Sequence, residues 1–264
     1  MLRSVFGKTL FEKRFAILFW ALGLLLANLA IMQLFPPLKE AFAQMTQDLP
    51  ASLEVWFGGD GQIWTTLRGY VGMEIMGQMT TAMIVLAMVF SLSTLASEES
   101  SGVLLTQFSK PISRTSFYLQ KFLAFVVATV IVMIGFYLGT WFGSVVLNDI
   151  IPLGELFQPI VAITLLTLVF GTLTFALSAA SGSKVLAGAV IGCYAIFGYF
   201  ITSLRGAAEI LTTLSKATPF YYYNNPSVID NGLELKNVLI LAATIIIPLV
   251  VALLIFARRD LKTR

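Results

Sequence analysis

Long apolar runs alternate with short polar segments along most of this chain. Six runs are long enough to be membrane spans, because a helix needs about 20 apolar residues to cross a hydrocarbon layer of about 30 Å. They are Phe15–Phe35, Val71–Leu95, Phe122–Leu147, Pro159–Ala180, Val185–Leu204 and Val238–Ala257. Only Ser181–Lys184 separates the fourth run from the fifth, which predicts a tight helical hairpin. The pattern predicts an all-α membrane protein with six transmembrane helices in a single domain, residues 1–264.

The composition agrees with lipid as the surrounding solvent. Hydrophobic residues make up 58% of the chain and charged residues 12%, whereas soluble domains usually have about 25% charged residues. The absence of histidine excludes histidine-ligated zinc and catalytic triads that use histidine. The single cysteine, Cys193, cannot form an intrachain disulfide. We therefore predict no catalytic residue, no metal site and no cofactor bound by this chain.

The positions of lysine and arginine predict the orientation in the membrane. If the N-terminus is cytoplasmic, most of the 17 basic residues lie on the cytoplasmic side, in the segments 1–14 and 97–121, at Lys184 and after the sixth span. Both termini are then cytoplasmic and the polar segment 205–237 is external. The expected location is the inner membrane of the cell.

The longest internal cytoplasmic loop is the polar segment 97–121, between the second and third spans. Ser97 is its predicted N-cap, followed by acids that suit a first helical turn. Apolar side chains come next, at Val103, Leu104 and Phe108. Lys110-Pro111 ends this predicted helix. Two interpretations are open: an amphipathic turn resting on the membrane, or a knob that docks a partner by burying an apolar side chain inside a polar rim.

The start of the third span follows directly from this loop. Ser113 is the predicted cap of that helix, and Arg114 and Lys121 are expected where cations meet lipid headgroups. The pattern Glu98-x-x-x-Gly102, then Lys110-Pro111-Ile112-Ser113-Arg114 and Lys121, resembles the corresponding loop of ABC-2 type ABC-transporter permeases. Val103 departs from the threonine that often follows the glycine in that family.

The resemblance extends over essentially the whole chain. Three further features resemble those of the same family: the six-span layout, the basic segment 1–14 before the first span, and the aromatic run 218–223 before the last span. The resemblance implies the ABC-2 permease fold of type V exporter-like transporters. It also implies that residues 1–14 form an amphipathic connecting helix along the membrane.

The resemblance further implies partners and site residues. In this family the loop is a coupling helix that docks on an ABC ATPase subunit, which binds ATP and Mg²⁺. The residues assigned to docking in this way are Glu98, Glu99, Gly102, Val103, Leu104, Phe108 and Arg114. A second permease protomer, identical or different, is implied as well, and no nucleic acid is expected.

The chain has no P-loop with which to hydrolyse ATP itself. Gly182-Ser183-Lys184 lacks the upstream glycine of that motif and lies in a hairpin with no preceding strand. We therefore predict a permease subunit that exports a hydrophobic or amphiphilic substrate, driven by a separate ATPase docked on the loop 97–121. The alternatives are a stand-alone secondary transporter or channel, which the scarcity of acids inside the spans disfavours, and a membrane-embedded enzyme.

Small and polar residues inside the spans give further candidate sites. Glycines four residues apart line one face of the third span, at Gly135, Gly139 and Gly143, and of the fifth, at Gly188 and Gly192. Such stripes allow close helix packing, either within the chain or against a second protomer. Glu74, Gln78 and Asn28 are candidates for a substrate pathway. The alternatives are an interfacial position for Glu74 and packing hydrogen bonds for the two amides.

Overall fold

A computed structural model describes residues 4–47, 66–100, 112–224 and 227–259. These ranges contain helices and no strand, and six helical stretches in them are long and apolar enough to cross a membrane. The predicted all-α fold class is therefore confirmed.

The helices are numbered in chain order. They are α1 (Val5–Met32), α2 (Phe35–Gln47), α3 (Leu67–Tyr70), a π-helix (Val71–Met79), α4 (Thr80–Thr94), α5 (Ala96–Ser100), α6 (Arg114–Val146), α7 (Leu153–Ser181), α8 (Lys184–Ser203), α9 (Glu209–Ser215), α10 (Pro219–Tyr223), α11 (Val228–Asn231) and α12 (Leu235–Arg258). The first span runs over α1 and into α2 (Val5–Ala41), and the second runs from α3 through the π-helix and α4 into α5 (Leu67–Glu99). The other four spans are α6, α7, α8 and α12.

The first span differs from the prediction of a separate connecting helix over residues 1–14. Helix α1 runs unbroken from Val5 to Met32, and Ser4 caps it by accepting a hydrogen bond from the Gly7 N–H. No proline interrupts this stretch, so nothing local ends the helix before the apolar run. Its start is also fixed to α6, because the Phe6 N–H donates to the Gln120 side chain at 3.1 Å.

Helix α7 lies at the centre of the bundle. It packs against α4, α6, α8 and α12, and Leu166, Phe170 and Phe175 along it are fully buried. At the end where α1 begins and α12 ends, Phe175 lies 5.0 Å from the ring centre of Tyr118, whose hydroxyl donates to the Leu249 carbonyl. These aromatic contacts hold the ends of α6, α7 and α12 together.

The glycine stripe of α6 faces α1. A Cβ at Gly135 or Gly139 would collide with the backbone of Ala21 or Leu25, and a Cβ at Gly143 would collide with the Met32 side chain of the same helix. Because lipid gives helices little hydrophobic reason to associate, such backbone-to-backbone contact is an important source of packing energy. The structure thus uses this stripe for packing inside the chain.

The predicted hairpin between α7 and α8 is present. Gly182 ends α7 in the left-handed conformation, with φ of 66°, and its N–H donates to the Ser178 carbonyl. Glycine adopts this conformation without the penalty that a Cβ brings. Ser183 then caps α8 by accepting a hydrogen bond from the Leu186 N–H.

Candidate functional site

The base of the predicted docking loop is the short helix α5, which follows α4 almost without interruption. Leu95, between the two helices, is fully buried and keeps a right-handed helical backbone. The chain therefore offers no extended residue to cap α5, and Ser97 lies inside this helix instead of being its N-cap. The predicted docking residues Gly102, Val103, Leu104 and Phe108 lie outside the described residues, so their role stays a prediction.

Glu98 pairs with Lys121 of α6. The Lys121 Nζ lies 2.5 Å from a carboxylate oxygen of Glu98, and the lysine side chain is only 2% exposed. The ammonium group also lies 5.5 Å from the ring centre of Phe117. The expected position of Lys121 among lipid headgroups is wrong, because the lysine turns inward to a carboxylate that α5 brings within reach.

Glu99 pairs with Arg259, directly after α12. One guanidinium nitrogen donates to both carboxylate oxygens of Glu99, at 2.6 and 2.7 Å. The Arg259 carbonyl in turn accepts a hydrogen bond from the Arg114 guanidinium at 2.6 Å. A Cβ at Gly182 would collide with the Arg259 guanidinium, so glycine at the hairpin also leaves room for this side chain. Arg259 thus connects α5, α6 and the α7–α8 hairpin to the end of α12.

We call these five residues the ionic cluster: Glu98, Glu99, Arg114, Lys121 and Arg259. Its two ion pairs are largely shielded from solvent by the chain itself. Removing one partner of a buried pair is strongly destabilising, because the remaining charge is left without compensation. The cluster therefore fixes the geometry of the loop base. Three of its members were assigned to docking by resemblance, and the structure places their side chains against partners in the same chain.

Sequence reasoning missed the part that Arg259 and Gly182 play at the loop base. From the sequence, Arg259 was counted only among the basic residues after the last span, and Gly182 was placed only in the hairpin between the fourth and fifth spans. The available signal was two adjacent acids, Glu98 and Glu99, next to the membrane, where each needs a cation. Which cation each one meets depends on how the spans pack, and a hydropathy pattern does not contain that information.

The opposite end of the second span is a π-helix. Thr80, just after it, donates to the Met76 carbonyl at 2.8 Å. The Tyr223 hydroxyl, from α10, donates to the same carbonyl and lies 3.0 Å from the Thr80 hydroxyl. Burial raises the pKa of the Tyr223 phenol above its ordinary value, so the phenol stays neutral and keeps its proton for donation. These contacts tie α10, in the segment predicted to be external, to the second span.

The predicted pathway residues fall into two places. Glu74 and Gln78 lie in the π-helix, where the Gln78 amide donates to the Glu74 carboxylate at 3.3 Å. Asn28 is fully buried between α1 and α6, and its amide donates to the Phe136 carbonyl and the Thr140 hydroxyl at 3.0 and 3.1 Å. Asn28 thus makes the packing hydrogen bonds that were its alternative role.

The glycines of α8 face α4 across an apolar groove. Gly188 lies nearest the Leu92 side chain and Gly192 nearest Met88. The groove has a volume of about 580 Å³ and is lined mainly by apolar side chains, among them Val85, Val89, Ile196 and Phe200. Several of these are more than half exposed in the single chain.

Comparison with known proteins gives one family. A family model described as ABC-2 family transporter protein matches residues 8–261, which include all six spans and the loop 97–121. No curated protein matches the chain.

Proposed function

The chain belongs to the ABC-2 family of transporter proteins, and on that premise we propose that it is the permease subunit of an ATP-binding-cassette exporter. The observation that carries the proposal is the family match over residues 8–261, on a chain with six candidate spans. The cargo is a hydrophobic or amphiphilic molecule. Because the chain has no P-loop, a separate ABC ATPase subunit binds ATP and Mg²⁺ and supplies the energy.

The ATPase docks on the loop 97–121 from the cytoplasm. The excess of basic residues at this end of the bundle supports a cytoplasmic orientation for the loop and for both termini, in the inner membrane. The apolar residues Val103, Leu104 and Phe108 suit burial in a groove of the ATPase. The ionic cluster supports the same assignment, since a loop that transmits force needs a fixed base.

The assembly contains two permease protomers and two ATPase subunits. The groove between α4 and α8 supports contact with the second protomer, because Gly188 and Gly192 allow another helix to approach closely there. The adjoining free face of α8 carries Val190 and Phe197, which are 50% and 65% exposed. A second copy of the chain would cover both surfaces.

Copurification with an ATPase tests the docking assignment. A tagged permease is expressed with a Walker-motif ATPase encoded in the same genome, and we expect the two to purify together. Replacing Leu104 and Phe108 together by arginine should abolish copurification, whereas the control Lys184→Gln, which changes an exposed charge at the same end, should not. Undiminished copurification of the double variant would show that the ATPase docks elsewhere.

Vesicles that contain the permease alone test the alternative of a stand-alone transporter or channel. We expect no leak of KCl from such vesicles. We also expect no accumulation of a fluorescent amphiphilic dye under an imposed proton or sodium gradient. Either activity in the absence of an ATPase would overturn the proposed dependence on ATP.

A further inference from the structure

We propose that Lys121 and Arg259 are positioning residues for the docking loop. Through their ion pairs with Glu98 and Glu99, they tie the base of the loop to the third and sixth spans. Movement of the loop is then passed to α6 and α12 as well as to α4, from which the loop emerges. This proposal rests on the proposed docking of an ATPase on the loop 97–121.

The first support is the direction of the two adjacent carboxylates. Glu98 meets a lysine on α6, and Glu99 meets an arginine at the end of α12. The Glu98–Lys121 pair links α5, where the loop 97–121 begins, to α6, whose first two turns form the end of that sequence segment. Two consecutive residues therefore connect α5 to two different spans.

The second support is the position of Arg259 among three other elements. Its guanidinium binds Glu99 of α5, its carbonyl accepts from Arg114 at the start of α6, and it occupies the space beside Gly182. The ends of α6 and α12 and the α7–α8 hairpin thus meet at the loop base. A displacement of α5 therefore acts on all of them through one residue, Arg259.

The third support is burial, which separates these pairs from ordinary surface pairs. The side chains of Lys121 and Glu99 are 2% and 4% exposed, whereas the Lys8–Glu12 pair on α1 is about half exposed on both sides. Exposed pairs contribute little and buried pairs cost desolvation. The main effect of the buried pairs is therefore to fix the positions of the helices at the loop base, and their net contribution to the free energy of unfolding is the smaller effect.

The affinity of the ATPase for the permease in lipid nanodiscs tests the proposal. A loop that is no longer held must be ordered on binding, which weakens affinity. We expect Arg259→Gln, Glu99→Gln and Lys121→Gln each to raise the dissociation constant about tenfold or more, a change of about 1.4 kcal/mol. The number of binding sites should stay the same, whereas misfolding would reduce that number.

Two controls separate positioning from general damage. Arg258→Gln removes an exposed charge from the neighbouring residue and should leave the affinity unchanged. The exchange Glu99→Arg with Arg259→Glu restores an ion pair of reversed sense and should return the affinity to within about threefold of the native value. If the charge-exchanged double variant bound the ATPase no better than the single variants, the Glu99–Arg259 ion pair would not be the cause of their weaker binding.

A steric variant reaches the same arginine without changing a charge. Gly182→Ala places a methyl group against the Arg259 guanidinium, besides straining a left-handed backbone position, and should weaken ATPase binding in the same direction. Gly154→Ala is its control, because a Cβ there meets no atom within 4 Å.

The outcomes also separate this proposal from the proposed function. If Arg259→Gln binds the ATPase as the native chain does, the positioning role is wrong although docking stands. If the native chain binds no ATPase, docking fails, and hydrogen exchange of residues 97–121 decides the positioning role. Faster exchange in Arg259→Gln than in Arg258→Gln then supports the role, and equal exchange overturns it.

Discussion

Lys121 is a charged side chain that the bundle almost entirely encloses, at 2% exposure, with Glu98 as its carboxylate partner. Lys121→Met should lower the free energy of unfolding by about 3–5 kcal/mol, because it leaves the Glu98 carboxylate without its cation. Unfolding by SDS in mixed micelles measures this loss.

The double variant Lys121→Met with Glu98→Met tests the cause of that loss. It should recover most of the stability, since an apolar pair of similar volume carries no desolvation cost. If the losses of the two single variants instead add up in the double variant, the two side chains do not interact and the assigned pair is wrong.

At the scale of elements, the π-helix of the second span depends on hydrogen bonds from outside it. π-helices are rare and often occur at functional sites. Tyr223→Phe removes the hydroxyl that donates to the Met76 carbonyl and should lower the free energy of unfolding by about 1–2 kcal/mol. Hydrogen exchange of residues 71–80 should become faster. Tyr222→Phe is the control, because that hydroxyl bonds to the Lys216 carbonyl at an exposed position, and equal exchange in both variants would contradict the prediction.

The contact between α1 and α6 is the second element whose packing can be tested. Gly139→Ala would place a Cβ against the Leu25 backbone, so α1 must move away, at a cost of about 1–3 kcal/mol. Gly23 lies on α1, and a Cβ there meets no atom within 4 Å. Gly23→Ala should therefore raise the free energy of unfolding by up to about 1 kcal/mol, because alanine has the higher helix propensity. SDS unfolding should therefore shift in opposite directions for the two variants, and a Gly139→Ala variant as stable as the native chain or more stable would show that the two helices are not in close contact.

The sequence was sufficient for features that single residues or the bilayer impose. Six spans follow from the length of the apolar runs, the hairpin from the short separation Ser181–Lys184, and the start of α6 from Ser113, whose hydroxyl accepts from the Ser116 N–H. It was insufficient wherever distant helices meet. Glu99 and Arg259 are 160 residues apart, and because the spans are apolar on nearly all sides, hydropathy gives no face from which to derive their packing.

At the scale of the molecule, the second span joins the two candidate regions. Its α4 end carries α5 and the predicted docking loop, and its other end is the π-helix, which is bonded to Tyr223 of α10. The span lies against α7 at the centre of the bundle. The second span therefore forms a continuous helical path from the ionic cluster to Tyr223.

The proposed pairing of two protomers can be tested directly through Cys193. It is the single cysteine of the chain and lies exposed on α8, next to Gly192 of the groove. Paired helices lie about 8–10 Å apart, so a short bismaleimide should join two copies through Cys193 in native membranes. For the control, Cys193→Ser is combined with Leu254→Cys, which places the thiol at an exposed position of α12; this variant should stay monomeric on denaturing gels. Cross-linking from α12 but not from α8 would place the protomer contact on the sixth span and contradict the proposed interface.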